Sequence, residues 1–396
     1  MADPVPHLDY RAFAADLDDV RARLEAEAGP EDVAHLRRCA RVGRIAELIG
    51  YATAWIAPNP IAVLGIALGS TVRWTVVAHH VLHRALDRIP GVPGELTSRG
   101  FARGGRRLLD WPEWIDPAAW DFEHNRLHHY HTGEIGDPDL PEEQLALMRT
   151  VRAPLWLKHL VLGFYMLTWK FTYYAPNTFT LLRREERRKA EGRPRDTSAS
   201  MVDVSLPRAW SPHHADGLRF WARCVLPYAA LRFGVLPALF LPLGRDAWLA
   251  VLVNSALAEA VANLHAFLVI VPNHAGDDVH RFDRPATDKA EYYVRQVLGS
   301  VNMRTGGFWN DLLHGWLNYQ IEHHLWPDLS PLQYAKAAPE VRAICARHGV
   351  PYVQEPVWRR VRQLVRVVTG QASMIRSETR AKHERSPALE PVATPG

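Results

Sequence analysis

Cysteine is scarce in this chain of 396 residues: Cys39, Cys224 and Cys345 lie far apart, are odd in number and form no CxxC spacing. A disulfide framework and a zinc–thiolate site are therefore both disfavoured. The N-terminal stretch has no basic start, apolar run and small-residue cleavage site, so it does not read as a secretory signal and any membrane segment has to be internal. Mean hydropathy is only −0.19, yet 47% of residues are hydrophobic and they are bunched between charged blocks. The net charge of +4 and pI near 9.0 lack the aromatic-interleaved basic groove of a nucleic-acid binder; the basic residues collect beside apolar segments, where anionic lipid headgroups are the expected neighbours. Length alone does not choose between one large domain and two ordinary ones.

Histidine is what the sequence has in surplus. Of 20, twelve stand in or beside clusters: His79, His80, His83, His124, His128, His129, His131, His265, His274, His314, His323 and His324. One tetrahedral site needs about four ligands, so the number points to more than one metal ion.

The spacing of Leu8, Phe13, Leu17, Val20 and Leu24 predicts an amphipathic helix within residues 1–40, cytosolic or interfacial. From Ile45 to Val77 the chain turns apolar, interrupted by Ala57-Pro58-Asn59-Pro60, which suggests a two-pass hairpin; Arg44 and Glu47 sit at the start of the first pass, and Ile61–Ala78 forms the second. Leu155–Tyr174 carries Lys158, His159 and Lys170 and is expected as an interfacial helix, because charge at mid-bilayer depth is costly. Arg183–Arg195 reads as a solvated charged loop near headgroups, and Thr197–Asp216 as a loop with His213 and His214 on the surface. Cys224–Leu243 and Ala247–Val271 make a second apolar pair, and Leu332–His348 a helix closing near Gly349. The expected fold is thus an all-α integral membrane protein, with about four transmembrane helices in two hairpins and a cytosolic helical cap. Residues 41–355 form the membrane domain, and 356–396 a helical extension followed by a disordered tail. Arg84, Arg88, Arg99, Arg103, Arg106 and Arg107 put the histidine side in the cytosol by the positive-inside rule.

Each histidine cluster has its own geometry. His79 and His83 stand at i and i+4 on one helical face, directly after the second apolar pass. On an α-helix His124, His128 and His131 share a stripe while His129 points roughly 100° away, so two neighbouring ions could draw on both directions. Asp137-Pro138-Asp139, just downstream, reads as a turn and helix start rather than a source of ligands. His274 emerges where the last apolar pass ends, beside Asn273, with His265 about two turns deeper. Gln320, His323 and His324 share a face at i, i+3 and i+4, leaving Glu322 free to hydrogen-bond a ligating imidazole; His314 precedes them.

The three motifs His79-His80-Val81-Leu82-His83, His124-Asn125-Arg126-Leu127-His128-His129 and Gln320-Ile321-Glu322-His323-His324 resemble the histidine boxes of the membrane fatty acid desaturase superfamily, in particular front-end acyl desaturases and their bacterial relatives. Gln320 at the head of the last box, the continuation Leu325-Trp326-Pro327, and the later run through Pro339, Cys345 and Pro351-Tyr352 are similar too. The resemblance extends from about Leu8 to Tyr352. It implies a non-haem di-iron centre that uses O₂ to place a double bond in an acyl chain. The metal ligands implied are His79, His83, His124, His128, His129, His274, Gln320, His323 and His324; His80, His131, His265, Asn273 and His314 are further candidates for ligands or for the groups that hold them. The substrate is expected on a lipid, coenzyme A or carrier protein. No cytochrome-b5-type His-Pro-Gly-Gly motif occurs in the chain, so electrons are expected from a separate ferredoxin-type or cytochrome-b5-type donor. The second box departs from the family in having three residues before its His-His pair, and a shorter frame would put Asn125 in the first ligand position. An acyl hydroxylase or oxidative decarboxylase would use the same boxes, and a non-catalytic membrane metal or lipid sensor and a soluble zinc hydrolase are the readings from other classes.

Overall fold

The computed structural model describes residues 3–194 and 206–379. Helix α1 (Tyr10–Glu27) starts where the Asp9 carboxylate accepts from the Arg11 and Ala12 amides, and buries the expected stripe of Phe13, Leu17, Val20 and Leu24. Helix α2 (Pro30–Ala54) begins well before the apolar run and passes through residue 40 without a break. Helix α3 (Pro60–Leu82) returns alongside it. Their contact is made by glycines: a Cβ on Gly65 would lie 2.5 Å from the Ala46 carbonyl, and one on Gly50 2.8 Å from the Ile66 amide. Side-chain-free positions let the two backbones touch, the packing that suits helices in lipid. The turn between them is tied down from a distance, because Asn254 accepts from the Asn59 amide and donates to the Ala54 and Ala57 carbonyls.

Helix α4 is built of Pro117–Glu123, a π-helical turn at His124–His128, and His129–His131. Helix α5 runs continuously through Leu155–Trp169, Lys170–Tyr174 and Ala175–Ala190. It therefore takes in the start of the charge run that the sequence suggested as loop. Arg183 and Arg187 pair with Asp216, and Glu185 pairs with Arg188 three residues on, so the charges support the helix instead of breaking it. Its lysines are partnered: Lys158 donates to the Thr369 carbonyl and Lys170 is buried against Glu113 at 2.7 Å. The expected loop at Thr197–Asp216 lies partly outside the described residues; Leu206–Trp210 is helical, and His213 and His214 are exposed. Helices α6 (Ala215–Leu243) and α7 (Arg245–His274) follow, joined at Gly244, whose φ of 109° suits glycine.

Among the described residues, three helices are long and apolar enough to cross a membrane: α3, α6 and α7. Helix α2 is not one of them. Further helices include α8 (Lys289–Leu298), α9 (Gln320–Leu325), α10 (Pro331–His348) and α11 (Val357–Val368). Helix α10 ends as expected, on Gly349 at φ 70°. The fold is not wholly α: β1 (His280–Phe282) pairs in parallel with β2 (Ile375–Ser377). The tail past residue 370, expected to be disordered, is thus ordered at least to Thr379, whose hydroxyl donates to Glu291 and accepts from Arg295. The rest of that tail lies outside the described residues. One large apolar cluster runs from Val5 to Val368, and His79, His80, His83, His124, His128, His129, His274, His323 and His324 are all buried.

Candidate metal centre

Helices α3 and α7 both deliver their C-terminal ends to the same place. In α3 a π-helical turn, Val72–Ala78, immediately precedes His79, and His79 and His83 then sit one α-turn apart with ring centroids 4.7 Å apart. A second π-helical turn carries His124–His128, with the His129 amide bonded to the His124 carbonyl. Such wide turns are frequent at functional sites. This one accounts for the extra residue in the second box: His124 and His129, five apart, are brought to 4.8 Å, and Asn125 turns away to donate to the Leu82 carbonyl and Asp121. Of the expected stripe, His124 and His128 stay stacked at 5.1 Å, while His131 turns away to Glu134 and His129 comes in.

The imidazoles form two groups with a link between them. His79, His83, His124 and His323 bring four ligand atoms within 4.8 Å of one another; His128, His274 and His324 bring three. His129 lies with His323 and His324, between the two groups. The Nε2 atoms of His79 and His323 approach to 3.1 Å. Several buried ring nitrogens have no protein partner, among them Nε2 of His83 and His324 and both nitrogens of His124 and His129. Buried polar atoms are seldom left so, and converging neutral imidazoles are the donor set that a divalent metal takes.

Outer hydrogen bonds fix the rings. His128 Nδ1 donates to Asp137 at 2.9 Å, His274 Nδ1 to the Gly299 carbonyl at 3.2 Å, and His323 Nδ1 to the Tyr334 hydroxyl at 3.1 Å. His324 Nδ1 is held by Gln296 and Thr132 at 3.1 and 3.0 Å. In each case the Nδ1 proton is engaged, which makes Nε2 the lone-pair nitrogen; that of His324 has no protein partner, whereas that of His274 accepts from the Gln320 amide. Burial, and then the neighbouring imidazoles, hold His83, His124, His129, His323 and His324 well below the ordinary histidine range, in the neutral form that binds metal. Burial also lowers His128, but Asp137 overrides it and raises the group.

Gln320 sets its amide nitrogen 2.8 Å from His274 Nε2, with its oxygen accepting from Asn273. Asn273 also donates to the Val269 and Leu317 carbonyls. His80 gives Nδ1 to the Val76 carbonyl, His131 pairs with Glu134, His314 bonds the Asn310 carbonyl, and His265 lies beside Leu313 and His314. None of these five joins the two groups. Glu322 does not reach an imidazole as expected: it faces the far side of its short helix and accepts from Asn302 at 2.8 Å and Tyr352 at 2.9 Å. Asp137-Pro138-Asp139 is a turn, as read, but also supplies the site, since Asp137 orients His128 and Asp139 joins His124 and His128 in a further potential ligand group. Thr132, Gln296, Gly299 and Tyr334 were not foreseen either; only an acidic pair beside a histidine box offered any signal in the sequence.

A narrow cavity of about 40 Å³ opens against His79, His124, His128 and His274. Its other walls include Trp74, Trp169, Tyr174, Ile270 and Leu317.

The fatty acid desaturase family model matches residues 53–356. A Mycobacterium tuberculosis protein named NADPH-dependent stearoyl-CoA 9-desaturase is 24% identical over 362 residues, covering 87% of this chain and 75% of the relative. An acyl-lipid (7-3)-desaturase of Diacronema lutheri is 28% identical over 304 residues, 74% of this chain and 59% of its own. A Euglena gracilis delta(8)-fatty-acid desaturase matches locally, 32% over 96 residues, 24% and 22% of the two chains. The chain belongs to the fatty acid desaturase family and is an oxidoreductase.

Proposed function

We propose that the chain is a membrane-bound di-iron acyl desaturase that introduces one double bond into a saturated acyl chain carried by coenzyme A. The observation that carries this is the pair of buried imidazole groups joined by His129 at the wall of an apolar cavity. The ligands are His79, His83, His124 and His323 for one ion, His128, His274 and His324 for the other, with His129 between them and Gln320 beside His274. Imidazole sets also suit zinc or copper; iron is chosen for the redox chemistry that the family performs. When bound, two irons reduced by a separate donor of ferredoxin or cytochrome b5 type would supply, with O₂, the oxidising power for removal of two hydrogens from adjacent methylenes. The balance is CH₂–CH₂ plus O₂, two electrons and two protons giving CH=CH and two waters.

The protein's part is positional. Trp74, Trp169, Tyr174, Ile270 and Leu317 exclude water and hold the methylenes against the imidazole side of the cavity, so that the register of the chain decides which carbons react. Tyr334, Gln296, Thr132, Asp137 and the Gly299 carbonyl keep the rings of His323, His324, His128 and His274 aimed. The name of the Mycobacterium relative favours coenzyme A as the carrier. Helix α2, with Ile45, Leu48 and Ile49 exposed, is the fourth pass and forms a hairpin with α3, while α6 and α7 form the other. The histidines then lie on the cytosolic side, near Arg84, Arg88 and Arg103. Mass spectrometry of lipids from a host expressing the chain tests this. Acyl chains lighter by two hydrogens, absent with His323→Ala, are expected; chains heavier by one oxygen would assign hydroxylation instead.

A further inference from the structure

We infer that the basic stripe of α2, which lines a cleft on the side of α3 away from the metal cavity, is a binding site for the headgroup of an anionic membrane phospholipid. The inference rests on the membrane reading of α2 and α3 but not on the reaction. Arg37, Arg41 and Arg44 stand at i, i+4 and i+7, one stripe about 10 Å long. All three are exposed, and none has a carboxylate partner among the described residues. Like charges at this spacing oppose the helix that carries them unless something anionic sits across them.

The stripe lines a cleft of about 590 Å³, and Arg37 and Arg41 also line an adjoining one of about 460 Å³. The floor of the larger cleft is apolar, with Leu36, Val72, Val77 and Phe101 buried beneath it. Its other charges are mostly spent: Arg73 is paired with Glu47 and Arg106 with Asp110. The three arginines face only Glu95, a surplus of two positive charges. Going up α2 the same stripe changes character, from Arg44 to Leu48 and then Trp55, which are 69% and 40% exposed. A basic half followed by an apolar half on one helix face matches a molecule with an anionic head and a hydrocarbon tail. A soluble phosphate compound would use the first half and leave the second uncovered. The wall between this cleft and the metal cavity is the π-helical turn Val72–Ala78, whose Val72, Arg73 and Val77 face the arginines and whose Trp74 faces the cavity.

The test is lipid binding to the purified full-length protein in detergent, by native mass spectrometry and thermal melting, with phosphatidylglycerol, phosphatidylcholine, coenzyme A and inorganic phosphate as probes. Phosphatidylglycerol is expected to be retained and to raise Tm, phosphatidylcholine and phosphate to do neither. The R37Q/R41Q/R44Q variant is expected to bind phosphatidylglycerol about 100-fold more weakly. Equal binding of the two lipids by the wild type, or an unchanged affinity in the variant, overturns the site. Coenzyme A binding as well as phosphatidylglycerol and lost in the same variant overturns the lipid assignment. Should the triple variant fail to fold, R37K/R41K/R44K, which keeps the charge, and the wild-type comparison of the two lipids decide the question.

Discussion

Asp137→Asn isolates one half of the metal centre. The Asp137 carboxylate accepts three hydrogen bonds: Oδ1 from His128 Nδ1 at 2.9 Å and from the Asp139 amide at 2.8 Å, Oδ2 from the Gly133 amide at 3.0 Å. An asparagine cannot satisfy all of them. With its oxygen toward His128, its NH₂ meets the Gly133 N–H; flipped, its NH₂ meets two donors and His128 loses its acceptor. The ring then rotates or changes tautomer, and the group of His128, His274 and His324 loses its aim. Loss of such an outer partner costs about 10- to 100-fold in metal affinity, or about 1.4–2.8 kcal/mol. The group of His79, His83, His124 and His323 does not contact Asp137 and should keep its affinity. Chelator titration of the metal-loaded protein separates the two: wild type should release both ions over a similar range, and the variant one of them early. Equal weakening of both sites, or of neither, would refute the division of the histidines drawn above.

Other consequences are as readily checked. Lys170→Met strands Glu113 and Glu259, with which it forms buried ion pairs at 2.7 and 3.4 Å, and should cost about 3–5 kcal/mol; Lys170→Met/Glu113→Leu leaves only Glu259, which keeps Trp114 and Tyr228 as donors, and should recover part of it, as Tm in detergent would report. Gly65→Ala sets a Cβ 2.5 Å from the Ala46 carbonyl and should destabilise the α2–α3 pair by about 1–3 kcal/mol, against the small gain alanine gives an open helix. Burial alone would raise Glu291, but Arg295, Arg284, Thr379 and Thr287 overcome it and bring the carboxyl down to about 2 from an ordinary 4.5. A depressed carboxyl stabilises the fold above its unfolded value and loses that contribution as pH falls. The Tm gap between wild type and Glu291→Gln should therefore be full above pH 4.5 and close toward pH 2; a gap independent of pH would contradict the assignment.

That the histidines converge was legible in the sequence because they are concentrated: histidines at helical spacing in three short stretches leave few alternative uses. The internal geometry of the site was not. Helical arithmetic put His129 away from His124, whereas the π-turn puts them side by side, with His124 against His79 and His83 of α3 and His129 against His323 and His324 of α9, contacts that local spacing does not announce. The outer partners were hidden for a related reason, since Gln296 and Thr132 reach His324 across gaps of 28 and 192 residues. Among the elements, α10 announced its end through Gly349, and α1 its buried face through a regular stripe. Ile375–Ser377 carried no such mark, because a strand of three residues in a polar tail exists only by pairing with His280–Phe282. The helix at Ala175–Ala190 was masked by its own charges, whose partner Asp216 lies beyond the next loop.

The central claim is that two ions are held by two histidine groups, and counting metal per chain tests it most directly. Iron-loaded wild type, purified in detergent, is expected to hold about two irons per chain, falling to about one in both His79→Ala and His274→Ala. One ion per chain in the wild type, or its complete loss in either variant, would contradict the account.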